Sequence, residues 1–314
     1  MKKSLAEIKH QKPAIRLLTS AIKEKRLAHA YLFTGIKGVG KETTANALVF
    51  HLFCEKSQEI PCGTCRACKK LEKKVHPDYL IIAPEKKEIT IRQIREVVNF
   101  LKYSPMEAPY KVILLKEADK LNLEAANALL KSLEEPPKFA LFVLITDNFT
   151  QLLPTIISRS QVVRFRALPK AWIAEELKKR YWFEEEVAWD LAEISQGSIG
   201  IAISIAEKGS VEELNAFVKA GISNEWTKKF KVIERLASLE REELNNFFYL
   251  LSMWMWKSYL AIKYSHRYPR VFPEEKFQKE PAQFYPLVLE TQQALDRYAN
   301  PELALLNLMI KVFN

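Results

Sequence analysis

No stretch of this 314-residue chain approaches the roughly 20 consecutive apolar residues that cross a bilayer, so no membrane-spanning helix is expected. Met1-Lys2-Lys3-Ser4 leads into an amphipathic helix instead of the apolar core of a signal peptide, which makes a cytoplasmic protein the expectation. Internal repeats and low-complexity tracts are missing too. Cysteine is scarce, with four residues in all, confined to positions 54 to 68. Chemically the most telling absences are a hydroxyl directly after Lys41 and a carboxylate at position 116. What remains is ordinary for a globular protein of two or three domains, with 48% hydrophobic and 27% charged residues. The net charge of +10 favours nucleic acid or an acidic protein as partner but sets no specificity.

Residues 35 to 43 read Gly-Ile-Lys-Gly-Val-Gly-Lys-Glu-Thr, a phosphate-binding loop between an apolar strand and a helix. In such a loop Gly35, Gly38 and Gly40 let backbone N–H groups curl around phosphates, and Lys41 reaches the β- and γ-phosphates. The next Ser or Thr hydroxyl ligates Mg²⁺. That position is Glu42, which has no hydroxyl and repels a polyanion. At 4 Å and an effective dielectric of about 20, one pair of unit charges is worth roughly 4 kcal/mol. Thr43 could substitute only if the loop shifts by one residue.

Downstream, the apolar run Val112-Ile113-Leu114-Leu115 ends in Lys116-Glu117. A nucleotide triphosphatase places a metal-binding aspartate at 116 and, in many families, a water-orienting glutamate at 117. Only Glu117 is kept. The two losses have opposite charge, so Glu42 and Lys116 can meet where the cation would sit; the alternative is that both face solvent. Thr146 closes another apolar run, and one polar group is common at the end of any strand. These residues argue against Mg-ATP binding in the chain's own site and against intrinsic ATPase activity.

Cys54, Cys62, Cys65 and Cys68 follow a C-x7-C-x2-C-x2-C spacing that suits a closed tetrahedral Zn²⁺ site in a reducing compartment, with redox thiols or an iron–sulfur cluster as alternatives. A closed site leaves no place for substrate, so the zinc would be structural. Flanking Arg66, Lys69, Lys70, Lys73 and Lys74 raise a nucleic-acid finger as the sharper possibility, but no helix with paired histidines follows.

Apolar periodicity predicts a helix over 5–25, a strand within 26–34, a helix over 41–53, strands at 79–82, 111–115 and 140–146, and helices over 91–103 and 123–133. Alternating strands and helices imply a parallel sheet covered on both faces, ending near Phe165. From Pro169 the pattern is helical, interrupted by Gly197-Ser198-Ile199-Gly200 and around 268–273 and 281–286. Phe247, Phe248, Tyr249, Leu250, Trp254 and Trp256 form an aromatic concentration read as core or as a subunit interface.

Three stretches resemble one family, the bacterial DNA polymerase III clamp-loader AAA+ subunits. They are the run from Ala125 through Asn127, Leu129, Lys131 and Glu134-Glu135-Pro136-Pro137, the run Leu153-Pro154-Thr155-Ile156-Ile157-Ser158-Arg159-Ser160-Gln161, and the cysteine module after the P-loop helix. The resemblance covers residues 5 to about 205 well and the rest by helical character. A degenerate ATP site, and no long extension of the tau kind after residue 314, favour the delta prime type.

The resemblance implies an α/β AAA+ P-loop domain over 1–168 with a zinc module at about 54–68, a small helical lid over 169–208, and an all-α collar over 209–314 that joins subunits in a hetero-oligomer. Ser158-Arg159-Ser160 stands at the family's Ser-Arg-Cys motif, which implies that Arg159 acts in trans on a neighbour's ATP; a surface arginine capping a strand is the plain alternative. Gly197-Ser198-Ile199-Gly200-Ile201-Ala202 keeps the lid pattern without its nucleotide-sensing arginine. The implied role is a stator of the replicative clamp loader, with gamma/tau and delta subunits as partners. Sliding clamp and primer-template DNA would be met through the assembly, in the bacterial cytoplasm at the nucleoid, with no membrane. An active gamma-type ATPase and a stand-alone zinc-dependent nucleic-acid binder are the competing classes.

Overall fold

The protein is described by a computed structural model over residues 4–56, 60–85 and 87–313; Met1-Lys2-Lys3, ahead of the first helix, lie outside the described residues. Two compact units meet in sequence at Leu168 and Pro169. In the first, α1 (Lys12–Lys23), β1 (Ala30–Thr34), α2 (Lys41–Phe53), α3 (Arg66–Glu72), β2 (Tyr79–Ile82) and α4 (Ile91–Leu101) follow one another. Then come β3 (Lys111–Leu115), α5 (Leu123–Glu134), β4 (Ala140–Thr146), α6 (Pro154–Ser158) and β5 (Gln161–Arg164). The strands pair in parallel in the order β2-β3-β4-β1-β5.

Side chains alternate across a strand, so each strand feeds two cores. Tyr31, Phe33, Val112, Leu114, Leu141 and Val143 meet the α1, α2 and α3 layer. Leu32, Ile113, Leu115, Phe142 and Leu144 meet α4, α5 and α6. Each large side chain buried there is worth about 1.5–3 kcal/mol, which is why these strands read as continuous apolar runs.

The helix expected over 5–25 breaks in two. A 3₁₀ turn spans Leu5–Glu7, and α1 begins only at Lys12, with Pro13 in its first turn and His10 at φ 68°. Proline tolerates a helix start but not its interior. The break puts buried Gln11 at the helix entrance, where its side-chain amide donates to Val39 O (3.3 Å) and Arg166 O (2.8 Å) and accepts from Arg166 N. Gln11 thereby ties the phosphate loop to the segment after β5, a strand too short to be read from periodicity.

In the second unit α7 (Lys170–Tyr181), α8 (Glu185–Ile194) and α9 (Ile199–Glu207) precede α10 (Ser210–Ile222), α11 (Trp226–Ala237), α12 (Arg241–Tyr264), α13 (Pro281–Asp296) and α14 (Pro301–Phe313). The interruption expected at 281–286 is instead the start of α13, because Pro281 occupies its first turn and Pro286 is accommodated early within it. The aromatic concentration on α12 is mostly core: Phe247, Phe248 and Trp254 are buried, whereas Trp256 is half exposed. Among the described residues no helix is long and apolar enough to cross a membrane.

Candidate nucleotide cleft and arginine site

The cleft forms where β1, β3 and β4 end. Thr34 closes β1, and Gly35 (φ 149°), Gly38 (φ 76°) and Gly40 (φ 98°) carry the turn into α2. At Gly35 a Cβ would lie 2.5 Å from Phe165 O, so glycine is required by a backbone approaching from β5. Thr44 N bonds Gly40 O at 2.9 Å, the ordinary first turn of a helix, so the loop is not shifted and Thr43 does not replace the missing hydroxyl.

Lys41, first in α2, is only 4% exposed. Its ammonium donates to Gly35 O and to Ile36 O (2.8 Å) and pairs with Asp147 Oδ1 at 2.7 Å. Register explains Asp147: Thr34 and Thr146 are partners across β1 and β4, so the residue after Thr146 emerges beside the loop. Thr146 is fully buried, donates to Asp119 Oδ1 at 2.6 Å and accepts from Asn148 N at 3.0 Å. The Thr146 hydroxyl is therefore occupied within the chain.

Glu42 and Lys116 form an ion pair across the cleft, with side chains 48% and 27% exposed. Asn46 on the next turn donates to Glu42 O (3.0 Å) and accepts from the Tyr79 hydroxyl (2.8 Å). Burial, helped by the nearby Glu42 charge, pushes the Tyr79 phenol well above its ordinary range. Glu117 is exposed with a left-handed backbone (φ 48°) at the entrance to the turn Ala118–Lys120.

Arg159 stands apart from this cleft. It caps α6 in the α4–α6 layer, whereas Lys41 opens a helix on the opposite face of the sheet. Its Nη2 pairs with Glu134 Oε1 at 2.7 Å, its Nη1 donates to Thr155 O at 3.1 Å, and its side chain keeps 34% exposure. Ser160 donates back to Ile156 O at 2.9 Å, so the serine serves locally without disturbing the motif. In the second unit Gly197 (φ 88°) turns the chain and Ser198 caps α9 by accepting from Ile201 N at 3.1 Å.

The four cysteines converge. All are free thiols, and their sulfurs lie within 4.8 Å of one another. Tetrahedral zinc, with Zn–S of about 2.3 Å, needs sulfurs roughly 3.8 Å apart. Backbone N–H groups already point at them: Cys62 N at Cys54 Sγ (3.3 Å), Cys65 N at Cys62 Sγ (3.3 Å) and Cys68 N at Cys65 Sγ (3.4 Å). The N–H groups of Thr64 and Cys65 draw the Cys62 thiol down to about 6, while burial pushes the Cys68 thiol up. The donor set fits zinc, and it sits where α2 ends and α3 begins, clipping the insertion to the P-loop helix.

A profile for the family described as DNA polymerase III, delta subunit, matches residues 10–169. The delta prime subunit of Bacillus subtilis is 32% identical over 78% of this chain and 70% of its own length. The chain belongs to the delta prime family of clamp-loader subunits. The Pseudomonas aeruginosa delta prime subunit is 38% identical over 62% of this chain and 60% of its own, so the match spans under two thirds of that relative. A tau/gamma subunit of Haemophilus influenzae is 34% identical over 66% of this chain but only 31% of its own length. The fold is shared with a gamma subunit-related protein of Thermotoga maritima (TM-score 0.50, 20% identity, 95% and 99% of the two chains).

Within this delta prime relative, four residues of the two sites were not legible as such in the sequence: Asp147, Asp119, Glu134 and Gln11. Only Asp147 left a signal, a carboxylate directly after a strand whose end faces the phosphate loop.

Proposed function

We propose that this chain is a non-hydrolysing stator of a replicative clamp loader, which helps load the sliding clamp onto primed DNA and presents Arg159 in trans to the ATP of an adjacent gamma/tau-type subunit. The supporting observation is the Glu42–Lys116 pair, which puts an ammonium where a nucleotide motor holds its metal. Lys41 and Thr146, the other nucleotide-facing groups, already have Asp147 and Asp119 as partners. Arg159, by contrast, retains exposure away from the chain's own cleft. A guanidinium supplied across an interface stabilises charge on the transferring phosphoryl and is worth about 10³–10⁵ in rate.

In this reading residues 1–168 form the nucleotide-type domain, 169–208 a lid and 209–314 a collar that meets gamma/tau and delta subunits, all in the cytoplasm. Cys54, Cys62, Cys65 and Cys68 hold a structural zinc, which supplies cross-linking and no reaction chemistry. The isolated chain is expected to show no Mg-dependent ATP turnover. In a complex reconstituted with gamma-type and delta subunits, Arg159→Ala is expected to slow turnover while leaving the assembly mass unchanged. Unchanged turnover would remove the trans role. Turnover by the isolated chain, abolished by Lys41→Ala, would establish the gamma-type ATPase instead.

A further inference from the structure

We propose that Glu134 is an internal stand-in for phosphate: it holds Arg159 in the unengaged subunit and is displaced when a neighbour's nucleotide arrives. This rests on the trans-acting reading of Arg159. Helices α5 and α6 pack side by side on one face of the sheet, and Leu129, Leu133 and Ile156 belong to the same buried core there. Their C-terminal ends are brought together, with Glu134 the last residue of α5 and Arg159 directly after α6.

A carboxylate at a helix C-terminus faces the negative end of the macrodipole, so Glu134 is poorly placed for its own helix. Its charge is matched instead by the Arg159 guanidinium at 2.7 Å. A carboxylate, like a phosphate, offers this group a pair of anionic acceptor oxygens, and an arginine fork binds both. Thr155 O and Ser158 Oγ, both partners of Nη1 at 3.1 and 3.4 Å, orient the guanidinium without neutralising it. The pair is accessible, at 34% and 47% side-chain exposure, so it can be exchanged. Glu134 and an incoming triphosphate therefore compete for one cation, and the competition raises the nucleotide concentration needed for engagement.

The test is Glu134→Gln in the full chain, reconstituted with gamma-type and delta subunits and titrated with Mg-ATP. The expected result is a half-saturating ATP concentration about two- to fivefold lower, the range that a solvent-exposed ion pair can supply. Maximal turnover, assembly mass and melting temperature should be unchanged. Glu134→Asp, which keeps the charge, should restore the wild-type half-saturation, and adding Glu134→Gln to Arg159→Ala should produce no further shift. If Arg159→Ala slows turnover but Glu134→Gln leaves half-saturation where it was, the stand-in role is wrong and the trans role survives. If Glu134→Gln lowers maximal turnover instead, Glu134 merely orients the arginine and the displacement idea is overturned. If neither substitution has any effect, the trans reading itself fails.

Discussion

Lys116 Nζ is paired with the Glu42 carboxylate in the cleft of a phosphate loop, and each of these residues stands where a nucleotide motor has the opposite chemistry. A hydroxyl has become an anion and an aspartate has become a cation. Either change alone would leave a charge with no counter-ion beside the loop; together they neutralise each other. The pair is partly exposed, so its net contribution to stability is at most about 1 kcal/mol. On the proposed reading its effect lies in what it excludes, since an ammonium and a divalent ion repel each other at one position.

Exchanging both residues for the motor's types should therefore be tolerated. Glu42→Thr with Lys116→Asp is expected to shift stability by no more than about 1 kcal/mol and to introduce Mg²⁺-dependent ATP binding, read by titration calorimetry with and without Mg²⁺. Lys116→Asp alone places two carboxylates side by side and should bind no better than wild type. A double variant that folds normally yet ignores Mg-ATP would mean that the cleft is shut by something else.

Asp147 is the candidate for that second closure, because it occupies the lysine that would meet the phosphates. Asp147→Asn removes the counter-charge and leaves the nearly buried Lys41 ammonium with neutral acceptors, the carbonyls of Gly35 and Ile36 and the new amide oxygen. The expected cost is about 1–2 kcal/mol, below the 3–5 of a fully buried pair because Asp147 is 36% exposed. Urea denaturation reads this cost. The freed ammonium should also raise affinity for triphosphate without Mg²⁺, which nucleotide titration in EDTA measures.

How much of this was legible in the sequence depended on whether the signal was local. Strands β1 to β4 and α2 announced themselves because runs such as Val112–Leu115 are buried on both faces, and the phosphate loop because its glycines have no substitutes. Glu42 and Lys116 could be matched by charge alone, since both belong to a motif with fixed geometry. Asp147, Asp119 and Glu134 could not be matched. Their partners lie 106, 27 and 25 residues away, and only strand register or helix packing brings them together. The break before α1 was hidden because apolar periodicity continues through it, while His10 and Pro13 decide the backbone.

The cysteine cluster gives a prediction independent of nucleotide. The purified chain should carry one zinc per molecule by elemental analysis, and Cys65→Ser should remove it. Cys65 also caps α3 through its sulfur, so the variant loses a helix cap as well as a ligand. A loss of more than about 2 kcal/mol corresponds to a fall in melting temperature of at least roughly 4 °C for a domain of this size. Strong chelation of the wild type should produce a comparable fall, and full stability after zinc removal would show that the thiols serve another purpose.

Acid sensitivity should trace to Asp78, the buried carboxylate just before β2. Burial works to raise its pKa, but the N–H groups of Met106, Glu107 and Ala108 donate to its oxygens at 2.8, 2.7 and 2.9 Å, and the net direction is downward. A carboxyl whose folded pKa lies below its unfolded value contributes stability that is complete above the unfolded value, near 4, and is lost as pH falls toward the folded value. Between pH 7 and 5 this group should therefore leave stability unchanged, with the loss confined to pH below about 4. Asp78→Asn gives up the charge-assisted bonds that hold the loop before β3, at a cost of about 1.5–3 kcal/mol near neutrality. Because the variant has no proton to take up at this position, its stability should fall less steeply with acid, and the two curves should converge as the pH falls through the lowered folded pKa of Asp78. Parallel curves in denaturant titrations across pH would mean that Asp78 is not the group that acid attacks.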